Sequence, residues 1–129
     1  MSPKCPFCSV PKGRIIYATD HAIAFYDGFP ISEGHALVVP TKHVASIYDL
    51  SGSEQAHLWF IVGRVRTSLR KKFHPDGFNI GLNDGPAAGQ TMMHTHIFIS
   101  ITIWMSLWNS NTQSDGMSQV FPIPLIREE

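Results

Sequence analysis

Two histidines two residues apart, His94 and His96, follow directly on a small-residue loop that ends in Gly89-Gln90-Thr91. On an extended strand, residues i and i+2 share one face, which puts the two imidazoles ~6–7 Å apart. Glycines let a backbone approach an anion closely enough for its N–H groups to hold it. An imidazole beside such a loop suits attack on phosphorus, with the loop amides taking up the charge of the non-bridging oxygens. The i, i+2 spacing fits a pair of half-buried strand histidines as well. The Gly-Gln-Thr upstream favours chemistry.

A second group of reactive residues opens the chain. Cys5 and Cys8 are its only cysteines and form Cys-x-x-Cys. In a reducing compartment that spacing reads as a metal or redox pair rather than a structural staple. It is also a common half-site for tetrahedral zinc, whose other half histidines can supply.

These residues need a scaffold. Short β-prone runs occur at Arg14 to Tyr17, Ala22 to Tyr26 and His35 to Pro40, with turn chemistry at Asp27-Gly28-Phe29-Pro30. A long helix follows: Ser51 with Glu54 three residues on makes a capping box. Leu58, Ile61, Val62, Val65, Leu69 and Phe73 then recur on one face at helical spacing. His74-Pro75-Asp76-Gly77 ends the helix, and its late Arg and Lys residues suit a solvated face. Phe78 to Leu82 alternates as a strand, and Met92 to Ile99 reads as another. The pattern predicts an α+β domain, a mainly antiparallel sheet with one principal helix on a face. His21, His57 and His74 carry no motif and read as surface or packing residues.

Taken in order, Cys5-Pro-Phe-Cys8, Asp27-Gly-Phe-Pro-Ile-Ser-Glu-Gly-His35-Ala-Leu-Val-Val-Pro40, Lys42-His43 and Asn83-Asp-Gly-Pro-Ala-Ala-Gly-Gln-Thr-Met-Met-His94-Thr-His96 resemble the histidine-triad (HIT) family in its bacterial branch. The resemblance runs from Cys5 to about Ile99. It implies about five strands with one long helix and a shorter one, and a HIT domain over residues 1–100. It also implies a protein that binds purine nucleotides, such as AMP or a nucleotide conjugate, and acts at the α-phosphate through a nucleotidyl-histidine. His96 matches the family's nucleophile, with His94 and His35 as the other histidines of the active centre. Asp27 matches the carboxylate on the ribose hydroxyls, and Phe7 an apolar residue near the base. Asn83, Gly89, Gln90 and Thr91 match the phosphate and leaving-group loop. Read without the family, Asp27 also fits the start of a turn and Phe7 a core position. In some branches Cys5, Cys8, His43 and His94 would together hold a structural zinc, and homodimers are common.

Two features depart from the pattern. The family's third histidine is replaced by Phe98, whose ring neither donates a hydrogen bond nor passes a proton. Residues 101–129 form an atypical extension, with Trp104, Met105 and Trp108 close behind the triad and no Lys or Arg from Phe73 through Ile126. Nucleotide binding is expected to survive better than turnover.

The 129 residues carry ten basic and ten acidic side chains, so there is no electrostatic footprint for nucleic acid. No apolar run is long enough to span a membrane, and none at the start resembles a signal peptide, which predicts a cytoplasmic protein.

Overall fold

The computed structural model describes residues 5–28 and 34–103. Five strands form one sheet: β1 (Ile15–Ala18), β2 (Ala22–Tyr26), β3 (Ala36–Pro40), β4 (Gly77–Gly81) and β5 (Ile97–Thr102). Their order is β1-β2-β3-β5-β4, and every neighbouring pair is antiparallel. The single α-helix among the described residues, α1 (Gly52–Phe73), connects β3 to β4. The shorter helical elements are 3₁₀ turns at Lys12–Arg14, Ile47–Asp49 and Pro86–Ala88.

Helix α1 forms where its signals lie. The Ser51 hydroxyl accepts from the Glu54 N–H at 3.1 Å, and the Glu54 carboxylate accepts from the Ser51 N–H at 2.8 Å. Leu58, Ile61, Val62, Val65 and Leu69 are all buried. The helix stops at His74, whose left-handed backbone (φ 52°) returns its N–H to Arg70.

Strand alternation divides the sheet into two apolar faces. Ala22, Ala24, Ala36, Val38, Ile97 and Ile99 pack under the buried side of α1. Phe25, Leu37, Val39 and Phe98 point the other way and gather Phe7, Val10 and Ile23. The candidate site is built on this second face.

The strand expected over Met92 to Ile99 is shifted. It begins at Ile97 and runs on to Thr102, where it still pairs with Gly77. The reason lies in the bonds made upstream. The Thr95 N–H donates to the Val44 carbonyl at 2.8 Å, beyond the end of β3, so His94 and His96 precede the ladder instead of sitting in it. Of the extension expected over residues 101–129, only 101–103 are described, and they finish β5 and leave it; the part with the two tryptophans lies outside the described residues, as do Phe29 and Pro30 of the expected turn.

Candidate functional site

The N-terminal arm folds back across the open face and brings both cysteines to His94. Cys5 Sγ lies 3.4 Å from His94 Nδ1, Cys8 Sγ 3.7 Å from the same nitrogen, and Cys8 Sγ 3.3 Å from His43 Nδ1. The four ligand atoms all fall within 4.8 Å of one another. A tetrahedral shell with Zn–S of about 2.3 Å and Zn–N of about 2.05 Å has S···N edges of ~3.5–3.6 Å. The spacing found here fits that shell, so the cluster is close enough to hold a metal ion.

The ring of His94 is turned to serve as a ligand. Its Nε2 meets the Pro40 carbonyl at 2.8 Å. A carbonyl only accepts, so Nε2 carries the proton and Nδ1 presents its lone pair to the thiols. Burial pushes the His94 pKa below the ordinary histidine value, and His43 and His96 add to the effect against the Pro40 bond. The shift favours the neutral ring, the form that binds metal.

The same logic fixes His96. Its Nδ1 lies 3.0 Å from the His94 carbonyl and must donate to it, so the lone pair of the ring resides on Nε2, the nucleophilic position. Phe7, between the two cysteines, stands edge-on to both rings, with centroids 5.8 Å from His94 and 5.1 Å from His96, and it also meets Phe25 at 5.6 Å. The cluster and the nucleophile candidate are thus joined by one side chain and one peptide.

The loop before His94 owes its shape to Gln90, which is buried. Its Oε1 accepts from the Gly85 N–H, and its Nε2 donates to the carbonyls of Ala45 and Met92, each at 2.8 Å. Both amide protons are thereby committed to the backbone. Gly89 has φ 104°, a conformation that favours glycine, and a Cβ there would press on Asn83 Nδ2 at 3.3 Å. Asn83 is buried under this turn, and Thr91 is exposed.

Asp27 and His35 come together at another place on the face, with Asp27 Oδ2 3.5 Å from His35 Nε2. Phe98 stands between this pair and His96, opposite Leu37 on β3 and Gly81 on β4. It is buried with Phe25, Leu37 and Val39, and its ring covers Gly81, where a Cβ would meet Cζ at 3.3 Å. One functional candidate escaped the sequence reading: Ser100, buried on β5, with Oγ 2.6 Å from His35 Nδ1. Continuing the alternation of His96 and Phe98 two residues further would have found it.

Known proteins resemble this chain over most of its length. The family profile described as the HIT domain matches residues 9–100. An uncharacterized HIT-like protein of Saccharolobus solfataricus is 36% identical over 99 residues, covering 74% of this chain and 71% of that protein. The asymmetrical bis(5′-nucleosyl)-tetraphosphatase of Schizosaccharomyces pombe is 38% identical over 94 residues, covering 72% of this chain and 52% of that enzyme. The crystal structure of a HIT family protein from Bacillus anthracis superposes with a TM-score of 0.72 at 29% identity, covering 88% of this chain and 78% of that one. Among the described residues no helix is long and apolar enough to cross a membrane.

Proposed function

This chain belongs to the HIT family, and from that premise we propose that it binds a purine nucleotide and acts at the α-phosphate through His96. The observation that carries the reading is the bond from His96 Nδ1–H to the His94 carbonyl, which assigns the lone pair to Nε2. In the first step Nε2 attacks the α-phosphorus, an N–P bond forms, and the bond from phosphorus to the leaving group breaks with its electron pair departing on that group. In the second, water attacks the same phosphorus and gives up a proton to solvent, the N–P bond breaks with its electron pair returning to Nε2, and the nucleoside monophosphate leaves. The loop from Asn83 through Gly89 to Thr91 holds the phosphate oxygens, and Gln90 acts by keeping that loop in shape. Phe7 lines the base, and Asp27 accepts from the ribose hydroxyls.

Phe98 sets the balance between binding and turnover. Where the family pattern has a proton donor, this chain has a ring packed into an apolar cluster. Departure of an amine or phosphate therefore proceeds without that help. The burial of Phe98 also favours a second reading, a nucleotide-binding protein that has lost efficient chemistry.

The metal of the proposal is zinc, held by Cys5, Cys8, His43 and His94. When bound, it supplies structural cross-linking of the N-terminal arm to the segment that carries the nucleophile. We also propose a homodimer: Trp59 and Phe60 on α1 and Ile80 on the edge strand β4 remain exposed, which supports pairing through these elements.

Incubation with an adenosine phosphoramidate, followed by intact mass and product release, tests the reading. A nucleotidyl adduct that is absent from His96→Ala supports the enzyme. Binding of AMP without adduct or turnover establishes the second reading in its place.

A further inference from the structure

Three side chains that lie far apart in sequence form a row across the open face. Asp27 donates its backbone N–H to the His35 carbonyl at 3.0 Å, extending the β2–β3 ladder by one pair. The β3–β5 register, Ala36 opposite Ile99, places His35 opposite Ser100. Directly opposed residues share a face and bring their side chains together. Here they do: Ser100 Oγ lies 2.6 Å from His35 Nδ1, and His35 Nε2 lies 3.5 Å from Asp27 Oδ2.

His35 is only 3% exposed and Ser100 2%, and Nε2 of His35 makes no hydrogen bond among the described residues. The backbone holds the ring there. Gly34, immediately before it, has φ 83°, and a Cβ at that residue would fall 2.8 Å from Ile101 Cδ1. A side chain there would strain the backbone and force the Ile101 side chain to shift.

The proton on the ring decides what the row does. If Nδ1 carried the only proton, the lone pair of Nε2 would face a carboxylate in a buried space, two acceptors against each other. With the proton on Nε2, an N–H dipole points at Asp27, and the Ser100 hydroxyl satisfies Nδ1 by donating to it. We infer that Ser100 and His35 are positioning residues that aim the Asp27 carboxylate at the two hydroxyls of a ribose, giving the site its selectivity for ribonucleotides; this rests on the nucleotide reading above.

The row is not a hydrolytic triad. Ser100 is enclosed in the cross-strand contact and has no surface from which to attack a substrate. It also lies on the far side of Phe98 from His96, so its effect falls on sugar recognition rather than on the phosphorus step.

The test has two arms on the full chain. Long-range proton–nitrogen NMR of the ¹⁵N-labelled protein, with His35 assigned by its loss in His35→Gln, reads the tautomer without any ligand. The expected spectrum has Nε2 protonated and Nδ1 bare in the wild type and in Ser100→Thr, and a mixed state in Ser100→Ala. A protonated Nδ1 in the wild type overturns the inference. The second arm measures by calorimetry the affinity ratio of AMP to its 2′,3′-dideoxy analogue. We expect Ser100→Ala to lower that ratio ~10-fold, the scale of a hydrogen bond to a charged group, while Ser100→Thr keeps it. An unchanged ratio in Ser100→Ala, with the wild type discriminating, overturns the positioning role. If the wild type binds neither nucleotide, the nucleotide reading and the ribose assignment fall together, and the tautomer still decides whether the three side chains are linked.

Discussion

The main-chain carbonyl of His94 accepts the Nδ1–H of His96 at 3.0 Å, so the ring beside the two thiols and the ring proposed as the nucleophile belong to one hydrogen-bonded unit. His94 is itself fixed at both ends, by the Pro40 carbonyl on Nε2 and by the thiols around Nδ1. Anything that loosens the cysteines therefore reaches the nucleophile through a single peptide and through the Phe7 ring.

Removing the proposed zinc should act on stability first and on activity through it. The arm carrying Cys5 and Cys8 meets the sheet through this cluster and through the packing of Phe7 and Val10. Chelation, or Cys8→Ser, is expected to lower the melting temperature by on the order of 10 °C. The rate of His96 adduct formation should fall with it. Elemental analysis and thermal unfolding check the first effect. A protein purified without metal that melts unchanged after chelation would remove the cluster from the account.

Phe98→His restores a donor at the price of packing. Phe98 is buried with Phe25, Leu37 and Val39, and an imidazole there brings polar atoms into that cluster. Stability should drop by about 1–3 kcal/mol. Turnover of a phosphoramidate should rise ~10²-fold, the usual worth of one donor to the reacting group. Denaturant titration and single-turnover kinetics separate the two effects. A loss of stability without any gain in rate would show that the ring's position does not reach the leaving group.

Much of this site was legible in the sequence because it rests on local rules. The capping box and the apolar face of α1 follow from Ser51, Glu54 and the spacing of Leu58 to Leu69 alone. His94, His96 and Phe98 gather around Phe7 on one face even though the ladder starts only at Ile97. Long-range backbone partners stayed hidden. Nothing near Gln90 in sequence indicates that its amide reaches the Ala45 carbonyl, and nothing near Thr95 indicates Val44. Ser100 was missed for a different reason. The motif ended at Ile99, whereas the strand continues to Thr102.

Thr95 offers a test of the segment between the two histidines. It is 1% exposed, and its hydroxyl has no hydrogen-bond partner among the described residues, although its N–H is bonded to Val44. Thr95→Val keeps the branched shape and removes the unsatisfied group. The variant should be more stable by about 1 kcal/mol, a rise of roughly 4 °C in melting temperature. A fall in melting temperature would mean that the hydroxyl is bonded after all.

Stability should also carry an acid-side signature from the start of α1. The Lys42 ammonium, 2.7 Å from the carboxylate, and then the Ser51 N–H hold the Glu54 pKa at about 2, against an ordinary 4.5. A carboxyl depressed on folding binds its proton more weakly in the native state. Its contribution is therefore complete above pH 4.5 and is lost as pH falls from 4.5 toward 2. Glu54→Gln keeps an oxygen for the Ser51 N–H but loses the charge facing Lys42. The wild type should melt about 1–3 °C above the variant at pH 7, since an exposed pair is worth little. That gap should hold down to about pH 5.5 and then narrow as the medium becomes more acidic. Groups shared by the two proteins cancel in the comparison, so the narrowing reports Glu54 alone. A gap that is the same at pH 7 and pH 3 would mean that the helix is capped by hydrogen-bond geometry, with no contribution from the charge.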